Sequence, residues 1–123
     1  MLALNFTEGR TFRVTARGYV GVTCREVFTP DQGAPTYMLR VLDVERGGET
    51  VRHQHPYEHE VFVLEGQGEV WTEAATVALR PGMAVMTMPG ERHQFRNKGE
   101  GVFRFICTIP NNGVRCAGEE VHG

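Results

Sequence analysis

The sequence predicts an all-β single domain, and three observations carry that prediction. Helical periodicity is weak along the whole chain, short runs rich in Val, Phe, Ile, Thr and Tyr recur, and turns containing Gly or Pro separate those runs. Many short strands at close spacing in 123 residues mean a sandwich, jelly roll or small barrel that closes its edges. The length suits one core, and neither an internal repeat nor a linker divides it.

In chain order the apolar runs predict strands at 11–15, 20–28, 37–45, 50–54, 60–64, 69–72, 76–79, 84–88, 93–96 and 102–109. The intervening turn chemistry is Asp31-Gln32-Gly33-Ala34-Pro35, Arg46-Gly47-Gly48, Gly66-Gln67-Gly68, Arg80-Pro81-Gly82, Pro89-Gly90 and Asn97-Lys98-Gly99-Glu100-Gly101. In the last strand Phe103, Phe105, Cys107 and Ile109 alternate with Arg104, Ile106 and Thr108, so one set faces the interior. The domain is assigned to residues 1–110. Residues 111–123 have lost the apolar pattern and read as a loose tail.

Composition removes several function classes. Serine is absent and Lys98 is the single lysine, which excludes Ser-His-Asp hydrolysis and leaves Schiff-base chemistry one residue in a turn. A net charge of −2 without a basic stripe excludes nucleic acid as a partner. Cys24, Cys107 and Cys116 are odd in number and form no CxxC pair, which argues against a disulfide scaffold and a thiolate zinc site and suits a reducing cytoplasm. The N-terminus has no basic and apolar leader, and no run of about eighteen apolar residues occurs, so a cytoplasmic protein without a membrane partner is expected.

Histidine is the informative residue: His53, His55 and His59 lie within seven positions, His93 follows a Pro-Gly turn, and His122 falls in the tail. On a strand of period two, His53 and His55 share one face at a separation one ion can bridge. His59 is nominally on that face too, although Pro56 bends the chain between. A helical i, i+4 pairing of His55 with His59 fails because Pro56 interrupts it, Val61-Phe62-Val63 follows, and no acid sits in the HExxH position. Four imidazoles suit Mn, Fe, Co, Ni, Cu or Zn and leave open positions on an ion that prefers six. Without an ion they would repel when protonated, and a closed structural site would be richer in thiolate.

These residues fall into two spaced motifs. Gly47-(x)5-His53-x-His55-(x)3-His59-(x)6-Gly66 resembles the first cupin motif, G(X)5HXH(X)3,4E(X)6G, and Gly82-(x)5-Met88-Pro89-Gly90-(x)2-His93-(x)3-Asn97 resembles the second, G(X)5PXG(X)2H(X)3N. The chain departs from the pattern twice: His59 takes the glutamate slot and Met88 the first proline. It is similar to small single-domain cupins of the cupin_2 type, and most to a four-histidine manganese subgroup.

The resemblance implies a double-stranded β-helix, or jelly-roll, barrel holding one divalent transition metal per chain on His53, His55, His59 and His93. Manganese comes first, with Fe, Cu, Ni, Co or Zn as the alternatives. It implies a homodimer, to which residues 1–14 could add strands across a two-fold axis. It further implies a dioxygenase-like oxidoreductase that activates O2 or peroxide on a small organic substrate. A non-redox isomerase or hydrolase, and a small-molecule-binding protein without turnover, are the rival readings. Phe95, Phe105, Cys107 and Ile109 are placed on the pocket side and Arg40 inside it, where it could pair with a substrate carboxylate. Gln54, Glu58 and Glu60 are candidate acceptors for the ring N–H groups. An imidazole in place of the motif carboxylate raises the charge of a divalent site from +1 to +2, which favours anionic ligands.

Overall fold

The computed structural model describes residues 1–122. Ten strands follow one another: β1 (Arg10–Arg13), β2 (Val20–Phe28), β3 (Tyr37–Glu49), β4 (His59–Glu65), β5 (Gly68–Thr72), β6 (Thr76–Leu79), β7 (Ala84–Thr87), β8 (His93–Asn97), β9 (Phe103–Pro110) and β10 (Glu119–Val121). Short 3-10 turns at Phe6–Glu8 and Pro30–Gln32 are the only helical pieces among the described residues.

Strand β3 is the hinge of the architecture. Along 37–44 it pairs antiparallel with β2 on one side and β9 on the other, and its far end reaches β8 through Glu49 and Arg96. One layer therefore runs β10-β1-β2-β3-β9-β4-β7, and the other continues β3-β8-β5-β6. This is the jelly roll that alternating strands predict. Their inward residues fill the space between layers: Val22, Met38, Val44, Val63, Phe103, Phe105 and Ile109 are each almost wholly buried. Strand β9 alternates buried and half-buried positions along its length, with Phe103, Phe105, Cys107 and Ile109 inward.

Two motif residues owe their identity to backbone needs. Gly66 closes the β4–β5 turn at φ +86°, and a Cβ there would strike the Val102 carbonyl. Asn97 is buried at the end of β8, where its amide donates to the carbonyls of Val44 (2.8 Å) and Gly101 (2.7 Å) and accepts from Gly99 N–H (2.8 Å). One side chain thus locks the β8–β9 turn to β3.

The structure corrects the sequence reading in four places. Strand β3 runs straight through Arg46-Gly47-Gly48, with a shift of register against β2 near Val20 in place of a turn. The strand predicted at 50–54 is an irregular segment joined to β8 by a bridge between His53 and His93, because Pro56 ends any regular pairing. The sheet is not closed: β6, β7 and β10 are edges among the described residues. The C-terminal segment is not a loose tail, for β10 pairs with β1 and a disulfide joins Cys116 to Cys24, leaving buried Cys107 as the free cysteine. That bridge removes the premise of three reduced thiols. Strand β1 is used within its own chain, between β10 and β2. No helix among the described residues is long and apolar enough to cross a membrane.

Candidate metal centre

The four motif histidines meet inside the jelly roll because three separate stretches deliver them. His53 and His55 come from the segment after β3, His59 begins β4 and His93 begins β8. Reciprocal backbone hydrogen bonds between His53 and His93 (3.2 and 2.9 Å) hold two of these stretches together, and the Gly90 N–H donates to the His55 carbonyl at 2.8 Å. The Thr50 hydroxyl accepts the Phe95 N–H at 2.9 Å, so the approach to the histidines is stitched to β8 before they begin.

One ligand nitrogen each from His53, His55 and His93 lies within 4.8 Å of the others. His59 stands slightly apart: its ring centroid is 4.3 Å from that of His55 and 5.1 Å from that of His93, but 6.4 Å from that of His53. The arrangement is three histidines with a fourth alongside, where the motif spacing treats all four alike.

The ring orientations are set by the backbone. Nδ1 of His53 faces the Val51 carbonyl at 2.9 Å, Nδ1 of His93 the Glu91 carbonyl at 2.8 Å, and Nδ1 of His55 the Tyr57 carbonyl at 3.4 Å. A proton on each Nδ1 leaves Nε2 as the lone-pair donor. Gln54, Glu58 and Glu60 do not take this role. Glu58 and Glu60 are exposed and lie against each other, which raises the Glu58 pKa, because neighbours of His59 on a strand face the opposite side. Sequence reasoning missed the acceptors because they are main-chain carbonyls two residues away, which no residue type signals. His59 differs again, its Nδ1 lying 3.7 Å from Cys107 Sγ.

Electrostatics keep these rings neutral. Burial, then the neighbouring His93, pushes His53 down to about 4, and burial followed by the Arg40 charge pushes His59 down to about 2. His55 and His93 are lowered as well, burial again being the main cause. His93 Nε2 is buried without a hydrogen-bond partner. An orphaned nitrogen at the centre of neutral, pre-oriented imidazoles is what a divalent transition metal requires, so the residues fit that ion.

The four histidines, Arg40, Phe95, Phe105 and Cys107 all line one cavity of about 310 Å³, and Gln54 lines it with them. Phe95 and Phe105 stack with centroids 4.9 Å apart and form one wall. Arg40 is only 7% exposed, and it donates to Cys107 Sγ (3.1 Å) and the Val114 carbonyl (3.2 Å) while its Nε has no partner. Ile109, placed on the pocket side with them, is buried in the core and is not among the lining residues. No Asp or Glu lines the cavity among the described residues.

The sequence did not single out Tyr19, Leu42, Val51 or Val114, which also line it. Nor did it find Tyr57, whose ring stacks on His55 at 4.4 Å and whose hydroxyl accepts the Val114 N–H at 2.8 Å. Its place two residues after His55 was the available signal; Val114, in the supposed tail, carried none.

Comparison with known proteins agrees with this architecture. The Cupin_2 family model, described as the cupin domain, matches residues 40–109. A curated relative, "Polyketide synthase CurC" of Streptomyces cyaneus, is 35% identical over 88 residues, covering 70% of this chain and 57% of that protein. The chain thus spans a little over half the length of that relative. Among solved structures, the polyketide cyclase RemF from Streptomyces resistomycificus superposes with a TM-score of 0.84 at 28% identity, over 91% of this chain and 80% of that one. Rru_A2000 from Rhodospirillum rubrum, a cupin-2 domain, shares the fold with a TM-score of 0.79 at 22% identity, over 93% and 77%.

Proposed function

We propose, because the chain belongs to the cupin domain family, that its cavity holds a divalent transition metal and closes rings on an oxygen-rich ketone of the polyketide class. The observation that carries this reading is the donor set: neutral imidazoles converge, with Arg40, on a cavity that no acidic side chain lines among the described residues. The names of the relatives, a polyketide synthase and a polyketide cyclase, support the substrate class. A divalent ion bound to His53, His55 and His93, with His59 alongside, supplies Lewis acidity toward a carbonyl or enolate oxygen.

The chain's own groups do the rest. Carbonyls of Val51, Tyr57 and Glu91 hold the Nδ1 protons and so aim the rings. Arg40 brings a positive charge to the cavity wall, where it attracts an anionic oxygen. Burial raises the Tyr19 phenol, which therefore stays a donor. Phe95 and Phe105, stacked on each other, form an apolar wall that excludes water from one side of the substrate. The reaction class is intramolecular ring closure: an enolate carbon attacks a carbonyl carbon of the same molecule, and the carbonyl oxygen takes up the negative charge and then a proton.

The oxygenase reading stands second, since the same positive cavity favours superoxide or peroxide. Oxygen dependence separates the two. Elemental analysis should find about one transition metal per chain, and none after His93→Ala. Ring closure of a poly-β-ketone should continue without O2. A metal-free native protein overturns the site, and turnover that requires O2 overturns cyclisation in favour of oxygenation.

A further inference from the structure

A second cavity of about 340 Å³ adjoins the first, and the two share Tyr19, Arg40, Leu42 and Val114 in their linings. Its remaining lining comes from the β1–β2 loop, at Val14, Thr15 and Ala16, and from residues 115–118 with Cys24. We infer that this chamber is an extension subsite, which receives the far rings of an elongated polycyclic substrate whose reacting end lies at the histidines. The inference rests on the ketone reading above and adds to it the length of the substrate.

Three features make the chamber a built part of the molecule. The Cys24–Cys116 bridge forms one side. Arg115 is anchored to Glu26 through two hydrogen bonds (2.9 and 3.0 Å) and to Asp31 through one (2.8 Å), which fixes the segment opposite the β1–β2 loop. Gly118 then takes φ +131°, and a Cβ there would strike the Arg13 carbonyl, so the chain rejoins β1 without filling the space. A segment held this firmly could pack down on Tyr19 and Leu42, yet it leaves a cleft with an apolar lining. Arg40 stands at the junction, tied to Val114 on the segment and to Cys107 beside the histidines. Its side chain is therefore common to the lining of both cavities. The first cavity, at about 310 Å³, is near the lower end of ligand-pocket sizes. The second cavity about doubles the space that an elongated polycyclic ligand can use.

Two probes with one chelating end and different lengths test this in metal-loaded protein. 2-Hydroxyacetophenone has one ring beside its hydroxyl-ketone pair, and 1,8-dihydroxyanthraquinone has three fused rings with the same pair. Calorimetric titration should give the three-ring probe at least about tenfold tighter binding. Ala117→Trp and, from the opposite wall, Ala16→Trp should each remove that advantage while one-ring affinity stays within about twofold. Either variant suffices if the other fails to fold, folding being checked by melting temperature and metal content. Equal affinity for both probes, or a three-ring advantage that survives both substitutions, overturns the extension subsite and leaves the metal and ketone reading standing. Metal loading with no binding of either probe overturns the ketone reading, and the subsite with it.

Discussion

Removing the Cys24–Cys116 bridge should cost about 4.6 kcal/mol, and the figure follows from where the two cysteines sit. Cys24 lies inside β2 and Cys116 follows β9, 92 positions apart, so the bridge closes most of the chain into one loop. Forbidding open conformations of a loop that long removes about 16 cal/mol/K from the denatured ensemble, which is about 4.6 kcal/mol at 25 °C. Residual structure in denatured chains makes this an upper value. Folded-state losses should be small, because Arg115 keeps Glu26 and Asp31 and β10 keeps its pairing with β1 when the sulfur link is gone. Since domains of this size have about 5–15 kcal/mol in total, the variant sits near the edge of folding. The assay is urea unfolding of the oxidised protein against Cys24→Ala/Cys116→Ala, which should also melt about 15 °C lower. Thiol titration of denatured, unreduced protein should find Cys107 alone. Three titratable thiols, or a double variant within about 0.5 kcal/mol of the parent, would refute the reasoning.

Four further outcomes can be checked. His53 is held at about 4 when folded and returns to about 6.5 when unfolded; between those values the unfolded chain binds more protons, so metal-free protein should lose stability as pH falls through that window. Urea midpoints at pH 7 and 4.5 measure this, and a midpoint that rises toward acid contradicts it. Phe105 is 1% exposed and stacked on Phe95, so Phe105→Ala should cost about 3–5 kcal/mol in denaturant unfolding while the metal still binds. His59→Ala should weaken metal binding less than His93→Ala, because His59 stands outside the three-histidine group; equal losses by competitive chelator titration would count against the three-plus-one geometry. We propose a homodimer through the outward face that carries Tyr37, Phe62 and Met86, which are 65%, 45% and 58% exposed. Sedimentation should give twice the chain mass, and Phe62→Glu should halve it; a monomer at micromolar concentration ends the proposal.

Legibility from sequence follows the reach of each interaction. Strands β2 and β6 were bounded correctly because their apolar runs are local and end in turn chemistry. Strand β3 was cut short because Gly47-Gly48 is a turn signal that pairing with β2 and β8 overrides. Strand β10 and the disulfide were invisible: a three-residue strand of Glu119, Glu120 and Val121 has no apolar period, and its partner β1 lies more than a hundred positions away. The site divides along the same line. Side-chain ligands announce themselves by spacing, since the motif distances single out His53, His55 and His93 even though 50–54 is not a regular strand. The carbonyls that aim the rings carry no residue identity, and the second cavity requires knowing that residues 114–118 return to β1.

His59 joins the two levels. Sequence identified it as an imidazole in a carboxylate slot, and the structure places its Nδ1 beside Cys107 and within the influence of Arg40. A glutamate there would supply the negative partner that Arg40 lacks. With histidine, the guanidinium and any divalent ion bound there would have no protein carboxylate in the cavity among the described residues, so the compensating negative charge would have to arrive with the ligand.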